Sequence, residues 1–308
     1  MELKMNASMY KVGIYALLGS AVLTSISQVF YAHHVQSVHP FLFTGISFLI
    51  TALYFQLFAA TQKMTVHWAT DKKPLFKLNI ASALTFLSFY FALKYVEPAI
   101  VSALEMGVAP LFLVVLLLLQ RQKISKRKWL ISIGTLAACL LLIWAVFSGA
   151  SGIGMMLSFE LLLGIFASIV AGIGAVFCSE YSKELSNRGW SSSMILAKRY
   201  IAIIIISIGF TYDIIIPYFM DNIVWILLVT VGGVLLPNYL LQKGIQYTNT
   251  FLVMMSLSFI PVLTFFFQLF DTRIQFSVVT CIGVLLLFLC GCSSLQEEQH
   301  EKAPHLFK

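Results

Sequence analysis

Apolar segments of about 20 residues recur along nearly the whole chain, and each is long enough to cross a bilayer as a helix. The chain has 308 residues, of which 59% are hydrophobic and 11% are charged, whereas soluble domains carry about 25% charged residues. Lipid offers the backbone no hydrogen-bond partners, so a spanning segment must be a helix or part of a closed barrel. Barrel strands would alternate in polarity, and these segments are continuously apolar. The sequence therefore predicts an all-α, multi-pass integral membrane protein.

The apolar segments predict ten transmembrane helices joined by short links. Their predicted bounds are 11–31, 40–60, 78–96, 98–119, 129–148, 156–178, 191–211, 223–242, 249–269 and 276–293. Residues 1–10 form a predicted cytoplasmic N-terminus and residues 294–308 a cytoplasmic polar tail. No signal peptide stands apart from the first span, because residues 1–9 are mostly polar and the following apolar run can itself cross the bilayer.

The basic residues predict the orientation of these helices. With a cytoplasmic N-terminus, the outer links hold only Lys94 and Arg273, and most other Lys and Arg residues fall on the cytoplasmic side. This is the positive-inside bias of membrane proteins. It accounts for the net charge of +7 without a nucleic-acid partner. We expect both termini to be cytoplasmic and the protein to lie in the plasma (inner) membrane.

Tryptophans at the ends of the predicted helices are interpreted as interface anchors. Trp and Tyr are enriched where the membrane meets water. Trp129 and Trp190 fall at predicted inner ends, and Trp144 and Trp225 near outer ends.

The two halves of the chain resemble each other weakly. SFYFALK (88–94) in the third helix corresponds to PNYLLQK (237–243) in the eighth, and the next helix of each half has an interior proline, Pro110 and then Pro261. A five-helix repeat has an odd number of spans, so the second copy must be inverted in the membrane. We predict two inverted repeats, first 11–148 and then 156–293, an architecture typical of secondary transporters.

The links agree with this inversion. QRQKISKRK (120–128) carries five basic residues, and its counterpart DTRIQ (271–275) carries one. The first is therefore predicted to be cytoplasmic and the second external.

Two longer stretches resemble a known family. They are ALKYVEPAIVSALEMGVAPLF (92–112), followed by SIGTLAACLLLI (132–143), and IQYTNTFLVMMSLSFIPVLTF (245–265), followed by CIGVLLLFLCG (281–291). With the helix count and orientation, they resemble the drug/metabolite transporter superfamily, specifically its EamA-type ten-helix carriers. The resemblance implies a secondary carrier without an ATP site or other cofactor, a central cavity lined by both halves, and export of amino acids or related metabolites by alternating access.

Glu105 is an acid in an otherwise uncharged predicted span. A charge at the middle of a bilayer costs about 2.5–3.5 kcal/mol on insertion scales, so such residues usually face a cavity or a partner. Two interpretations are open: a proton or substrate site, or a structural ion pair. The aligned position in the second half is about Ser256, so the acid is not part of the repeat.

Arg199 is the natural counter-charge within the membrane. The family often has an arginine early in the second helix of a repeat, and the first half has Ser47 at the aligned position. A guanidinium binds a carboxylate with two prongs, so Arg199 is a candidate partner of Glu105 or of a substrate carboxylate. Snorkelling to the cytoplasmic surface is the alternative.

Further candidates are prolines and polar residues. Proline removes a backbone donor and clashes with the preceding turn, and freed carbonyls beside a cavity are tolerated in transporters; a static packing kink is the alternative. The candidate helix breaks are Pro110, Pro237 and Pro261, and the remaining candidate substrate contacts are Tyr90, Asn238 and Tyr239.

No catalytic or metal-binding signature is found in the sequence. HExxH, GxSxG and P-loop motifs are absent, which argues against an enzyme. The cysteines form no CxxC pair, and the histidines of the first outer link are interpreted as solvated rather than metal-binding.

The leading hypothesis is a secondary transporter that exports a small metabolite, with proton exchange at Glu105. A uniporter or lipid flippase of the same fold, and a non-transporting membrane receptor or assembly protein, are the alternatives. The expected partners are a small-molecule substrate, protons and the lipid bilayer. The sequence does not identify the substrate, the direction of transport or the oligomeric state.

Overall fold

The computed structural model describes residues 7–35, 38–60, 68–119, 121, 124–153, 158–213, 215–248 and 250–302. Within these ranges every regular element is helical. The helices are α1 (Ala7–His34), α2 (Pro40–Ala60), α3 (Trp68–Tyr95), α4 (Pro98–Leu119), α5 (Lys126–Phe147), α6 (Phe159–Asn187), α7 (Ser192–Lys198), α8 (Ile201–Thr211), α9 (Ile215–Val229), α10 (Leu236–Tyr247), α11 (Thr250–Gln268) and α12 (Val278–Lys302). A π-helical segment, Thr230–Leu235, joins α9 to α10.

Much of this helical structure is long and apolar enough to cross a membrane. Among the described residues, 7 helical stretches meet that description, and three shorter apolar helices accompany them: Pro98–Val108, Ser256–Gln268 and Val278–Ser293. The protein is therefore a multi-pass helical membrane protein, as its composition predicts. The count of ten spans, the inverted repeats and the orientation stay predictions.

Several helices extend beyond their predicted bounds, and three of them do so by nine or ten residues. α3 begins at Trp68 rather than at 78, α6 continues to Asn187 rather than 178, and α12 continues to Lys302 rather than 293. The added turns are rich in polar residues. Hydropathy marks where a helix leaves the apolar region, whereas backbone hydrogen bonding can continue beyond it.

Two predicted spans are interrupted in the structure. The seventh, 191–211, is divided into α7 and α8 at Arg199 and Tyr200, and the eighth, 223–242, contains the π-helical segment before α10. By contrast, α4 continues through position Pro110 and α11 through Pro261, so neither proline ends its helix.

The two predicted halves interleave. α3 packs along α6 and α1 along α10, while α2 contacts α7 and α8, α4 contacts α11, and α5 contacts α12. Aromatic rings fill part of the core between them: Tyr31 and Phe43 each lie with ring centroids 4.8–4.9 Å from one another and from Tyr90. These contacts hold the helices that surround the central cavity.

Trp190 is not an interface anchor, and that interpretation was wrong. Its side chain is 2% exposed, and its Nε1 donates a hydrogen bond of 2.8 Å to Asp71 Oδ2. Arg188 pairs with the same carboxylate at 3.2 Å. Asp71 lies in the polar first turns of α3, which precede the predicted span that begins at residue 78. Nothing in the sequence therefore indicated that Asp71 is the partner of Trp190.

Candidate functional site

A cavity of about 110 Å³ lies between the two predicted halves. The first half contributes α1, α3 and α4 to its wall, and the second contributes α6, the junction of α7 and α8, the π-helical segment, α10 and α11. Its polar and charged lining residues are Ser20, Thr24, Ser27, Gln28, Thr85, Tyr90, Glu105, Ser179, Ser182, Arg199 and Asn238. The wall is thus mixed, because aromatic and aliphatic side chains such as Phe86, Phe89 and Leu257 complete it.

Four of the five predicted contact residues line this one cavity. Glu105, Arg199, Tyr90 and Asn238 come from α4, the α7–α8 junction, α3 and α10, respectively. Tyr239 is not among the lining residues; its ring stacks on Phe55 with centroids 5.5 Å apart. Neighbouring positions on α10 point to different sides, as helical geometry requires.

Glu105 lies on the cavity wall without a partner in the part of the chain that the structure describes. It forms neither a hydrogen bond nor an ion pair there, and Arg199 is not bonded to it. Burial disfavours the charged form of a carboxyl group. Because Arg199 is not bonded to Glu105, the structural ion pair that the sequence left open is not formed in the structure.

Arg199 is buried, with 4% of its side chain exposed, so it does not snorkel to the surface. Its Nε donates a hydrogen bond of 3.1 Å to Ser82 Oγ. Its guanidinium carbon lies 5.7 Å from the ring centroid of Phe86 and 5.4 Å from that of Tyr200, within cation–π range. These contacts hold the guanidinium without neutralising its charge.

Gln28 is a cavity residue that sequence reasoning missed. Its Oε1 accepts hydrogen bonds from Ser102 Oγ and, at 3.0 Å, from Thr264 Oγ1, so it joins α1, α4 and α11. The signal was present in the sequence: Ser20, Thr24, Ser27 and Gln28 follow one another at i, i+4, i+7 and i+8. That spacing places polar groups on a single helical face.

The three candidate prolines have different surroundings. Pro237 lines the cavity near the start of α10, and its carbonyl accepts a hydrogen bond of 2.8 Å from Ser20 Oγ. Pro261 is buried in α11 beside a second cavity of about 20 Å³. The side chain of Pro110 lies outside the described residues.

At the predicted outer end of the molecule, two buried carboxyl groups bind side-chain and backbone groups of other segments. Glu97 Oε2 accepts from Gly152 N at 2.8 Å, and its Oε1 accepts from Gln268 Nε2. Burial raises the pKa of Glu97, and these two hydrogen bonds partly offset that effect. This network links the start of α4 to the end of α11.

Asp271 is the second of these carboxyl groups. It binds Arg273 at 2.7 Å and His33 at 3.0 Å, so His33 is not simply solvated as the sequence suggested. Burial raises the pKa of Asp271. The hydrogen bonds and charge of Arg273, together with the hydrogen bond to His33, lower the pKa by a larger amount, so it lies below its usual range. No group of three His, Cys, Asp or Glu residues within the described ranges could hold a metal ion.

At the opposite end, α6 and α7 contact α10. Lys183 Nζ donates to the carbonyls of Ile245 and Thr248 at 2.7 and 3.1 Å, which places a cation at the C-terminal end of α10, where the helix dipole favours it. Ser192 Oγ also donates to Gln246 Oε1 at 2.8 Å.

Comparison with known proteins supports the fold and the family. No curated protein matches the chain. A protein of known crystal structure is 16% identical, with a TM-score of 0.59 over 94% of this chain and 96% of that one; at this identity the likeness concerns the fold alone. The model of the EamA-like transporter family matches residues 11–144. The resemblance drawn from the sequence is thereby confirmed for residues 11–144, which are similar to the EamA-like transporter family of the drug/metabolite transporter superfamily.

Proposed function

We propose that the protein is a ten-helix secondary transporter that exports a small metabolite, an amino acid or a related compound, by alternating access. One observation carries this proposal. A carboxyl group, Glu105, and a guanidinium group, Arg199, line the same cavity between the two halves, and within the described residues neither has an ionic partner. An uncompensated buried charge is costly, so the arrangement suits a ligand that supplies the missing charges.

The lining suggests how such a ligand would bind. A substrate carboxylate would accept hydrogen bonds from Arg199, whose remaining N–H groups are not used by Ser82. A substrate ammonium group would face Glu105, and the aromatic side chains Phe86 and Phe89 would contact an apolar part. The cavity of about 110 Å³ favours a small substrate.

The helix packing supports alternating access. α3 with α6 and α1 with α10 are equivalent pairs under the predicted inverted repeat, and α4 with α11 and α5 with α12 are self-equivalent pairs. A pseudo-twofold axis in the membrane plane would produce this pattern. The second half is also interrupted beside the cavity, at Arg199 and ahead of Pro237, as is common at binding sites of such carriers.

Proton coupling would follow if Glu105 binds either a proton or the substrate, but not both. The ionised carboxylate would hold a substrate cation, and protonation would release it. In exchange for protons, the carrier would then move substrate out of the cell.

Transport by Glu105→Gln in proteoliposomes tests the proposal. A panel of radiolabelled L-amino acids is assayed with and without an imposed pH gradient, and Glu160→Gln serves as the control because Glu160 is exposed at the start of α6. We expect the wild type and the control to respond to the gradient and Glu105→Gln to lose that response. Full gradient-driven uptake by Glu105→Gln would contradict the proton role.

Two other outcomes would favour the alternatives. Flux that the wild type carries independently of the gradient would indicate a uniporter or flippase. Absence of both flux and ligand-induced thermal stabilisation would favour a non-transporting membrane protein.

The inverted repeat is tested separately by topology. Single cysteines at Ser125 and Thr272 are labelled with a membrane-impermeant maleimide, in a background without native cysteines. We expect Ser125→Cys to react from the cytoplasmic side and Thr272→Cys from the outside. Labelling of both from one side would contradict the predicted inversion.

A further inference from the structure

The interruption between α7 and α8 is a short gap in the helical hydrogen-bond ladder. Below it, Arg199 N donates to Ile195 O at 3.0 Å, and above it Ile204 N donates to Tyr200 O at 3.1 Å. Both are ordinary i to i−4 bonds. The four bonds that a continuous helix would have between them are not formed. One of these, from Ala202 N to Lys198 O, has both of its groups bound by another side chain.

The side chain of Asn79, from α3, takes the place of that bond. Its Nδ2 donates to Lys198 O at 2.9 Å, and its Oδ1 accepts from Ala202 N at 3.2 Å. A carboxamide is thus inserted between the donor and the acceptor of one helical bond, which is a recognised cause of a helix bend. Asn79 is 8% exposed, so water cannot easily replace it.

Arg199 is one of the two residues between α7 and α8, next to this insertion. The same face of α3 also holds its side chain, because Asn79, Ser82 and Phe86 follow at i, i+3 and i+7. Asn79 binds the backbone on both sides of Arg199. Ser82 Oγ accepts a hydrogen bond from Arg199 Nε, and the Phe86 ring lies 5.7 Å from the guanidinium carbon. One face of a first-half helix therefore sets both the backbone and the side chain of a second-half residue.

We propose that Asn79 is a positioning residue that opens the helix at Arg199 and thereby aims the guanidinium into the cavity for an anionic group of the substrate. This inference rests on the proposed function, which makes Arg199 a substrate contact. Without the carboxamide, Lys198 O and Ala202 N are left to bond to each other. The neighbouring helical bonds can then form as well, so that α7 and α8 become one helix and the Arg199 side chain turns away from its present direction.

Hydrogen–deuterium exchange tests the backbone part of the proposal without any ligand. The purified Asn79→Ala variant is compared with the wild type in the peptides that contain residues 198–204, with Ile80→Ala as control because Ile80 lies beside Asn79 on α3 and is 44% exposed. We expect slower exchange in Asn79→Ala, as a continuous helix forms, and no change in the control. Unchanged or faster exchange in Asn79→Ala would overturn the inference.

Discrimination between acids and esters tests the functional part. Each L-amino acid that the wild type transports is compared with its methyl ester, which lacks the carboxylate. We expect Asn79→Ala to raise KM for the acid about 10- to 100-fold, the range for a lost hydrogen bond to a charged group, and to leave KM for the ester unchanged. A merely structural defect would raise both, and that result would overturn the inference.

A double variant shows whether Asn79 acts through Arg199. If it does, the double variant Asn79→Ala/Arg199→Met should show the same ratio of KM for the acid to KM for the ester as Arg199→Met alone. Additive losses would contradict the inference. If Arg199→Met itself leaves acid and ester discrimination unchanged, the proposed substrate contact fails, while the exchange measurement still decides the role of Asn79.

Discussion

Gly174 lies where α6 approaches the backbone of α3, and Gly174→Ala would place one methyl group in that contact. A Cβ at this position would lie 2.5 Å from Thr85 Oγ1, 2.7 Å from Thr85 N and 3.0 Å from Ala81 O. Two of these atoms belong to the backbone and cannot rotate away. Since ordinary van der Waals contact begins at 3.4 Å, the difference between 3.4 and 2.7 requires the helices to separate by about 0.7 Å at Thr85.

The expected cost follows from two opposing effects. Overpacking a tight contact costs about 1–3 kcal/mol, whereas replacing glycine by alanine in a helix gains about 0.5–1 kcal/mol. We therefore expect Gly174→Ala to lower the free energy of unfolding by about 1–2 kcal/mol. Thr85 also lines the cavity, so transport should fall as well.

Reversible unfolding of the purified protein in mixed micelles, with increasing SDS, measures this change. Gly209→Ala is the matched control, because a Cβ at Gly209 in α8 meets nothing within 4 Å. It should be as stable as the wild type or slightly more stable. If Gly174→Ala also unfolds at the wild-type SDS concentration, the close approach of α3 and α6 does not limit the fold.

Three further predictions concern the buried carboxyl groups outside the cavity. Because burial raises the pKa of Glu97, its ionisation should destabilise the wild type as pH rises above the ordinary value of 4.5, and Glu97→Gln should remove this loss in thermal unfolding between pH 4 and 8. Although burial opposes it, Arg273 holds the pKa of Asp271 below the ordinary value of 3.8. The wild type should therefore lose stability as pH falls from 3.8 through the lower folded pKa, and Asp271→Asn should lack that dependence. Asp71→Ala should lower the free energy of unfolding by about 1–3 kcal/mol, because the buried indole N–H of Trp190 loses its acceptor, and SDS unfolding measures it.

Each of these has a distinct contrary result. Parallel pH profiles for Glu97→Gln and the wild type would mean that Glu97 keeps an ordinary pKa. An acid transition in Asp271→Asn equal to that of the wild type would remove Asp271 as its cause. Wild-type stability in Asp71→Ala would mean that the indole finds another acceptor.

Part of the candidate site was predictable from the sequence. Glu105 and Arg199 were singled out because charges are rare and costly in apolar spans, and the structure brings both to one cavity. Gln28 was also within reach, since its polar neighbours on α1 share helical spacing. Tyr239 was not separable from Asn238, because the sequence does not tell which side of α10 faces the cavity.

The sequence by itself determined the class of the molecule and the family that it resembles. An apolar chain with few charges has to satisfy its backbone internally, which enforces helices, and residues 11–144 carry the pattern of the EamA-like transporters. These properties follow from local composition and order, so no knowledge of packing was required.

Only the tertiary structure decided where the helices are interrupted and which charges stay unpaired. Of the three prolines expected as breaks, Pro237 lies just after the π-helical segment, whereas α4 and α11 continue through the prolines at 110 and 261. The break at Arg199 has no proline; there Asn79 from another helix binds Lys198 O and Ala202 N, which a continuous helix would bond to each other. The pairing of Trp190 with Asp71 and of His33 with Asp271 likewise joins residues more than 100 positions apart. Such contacts depend on which helix faces lie together, and that is a property of the assembled fold rather than of any segment.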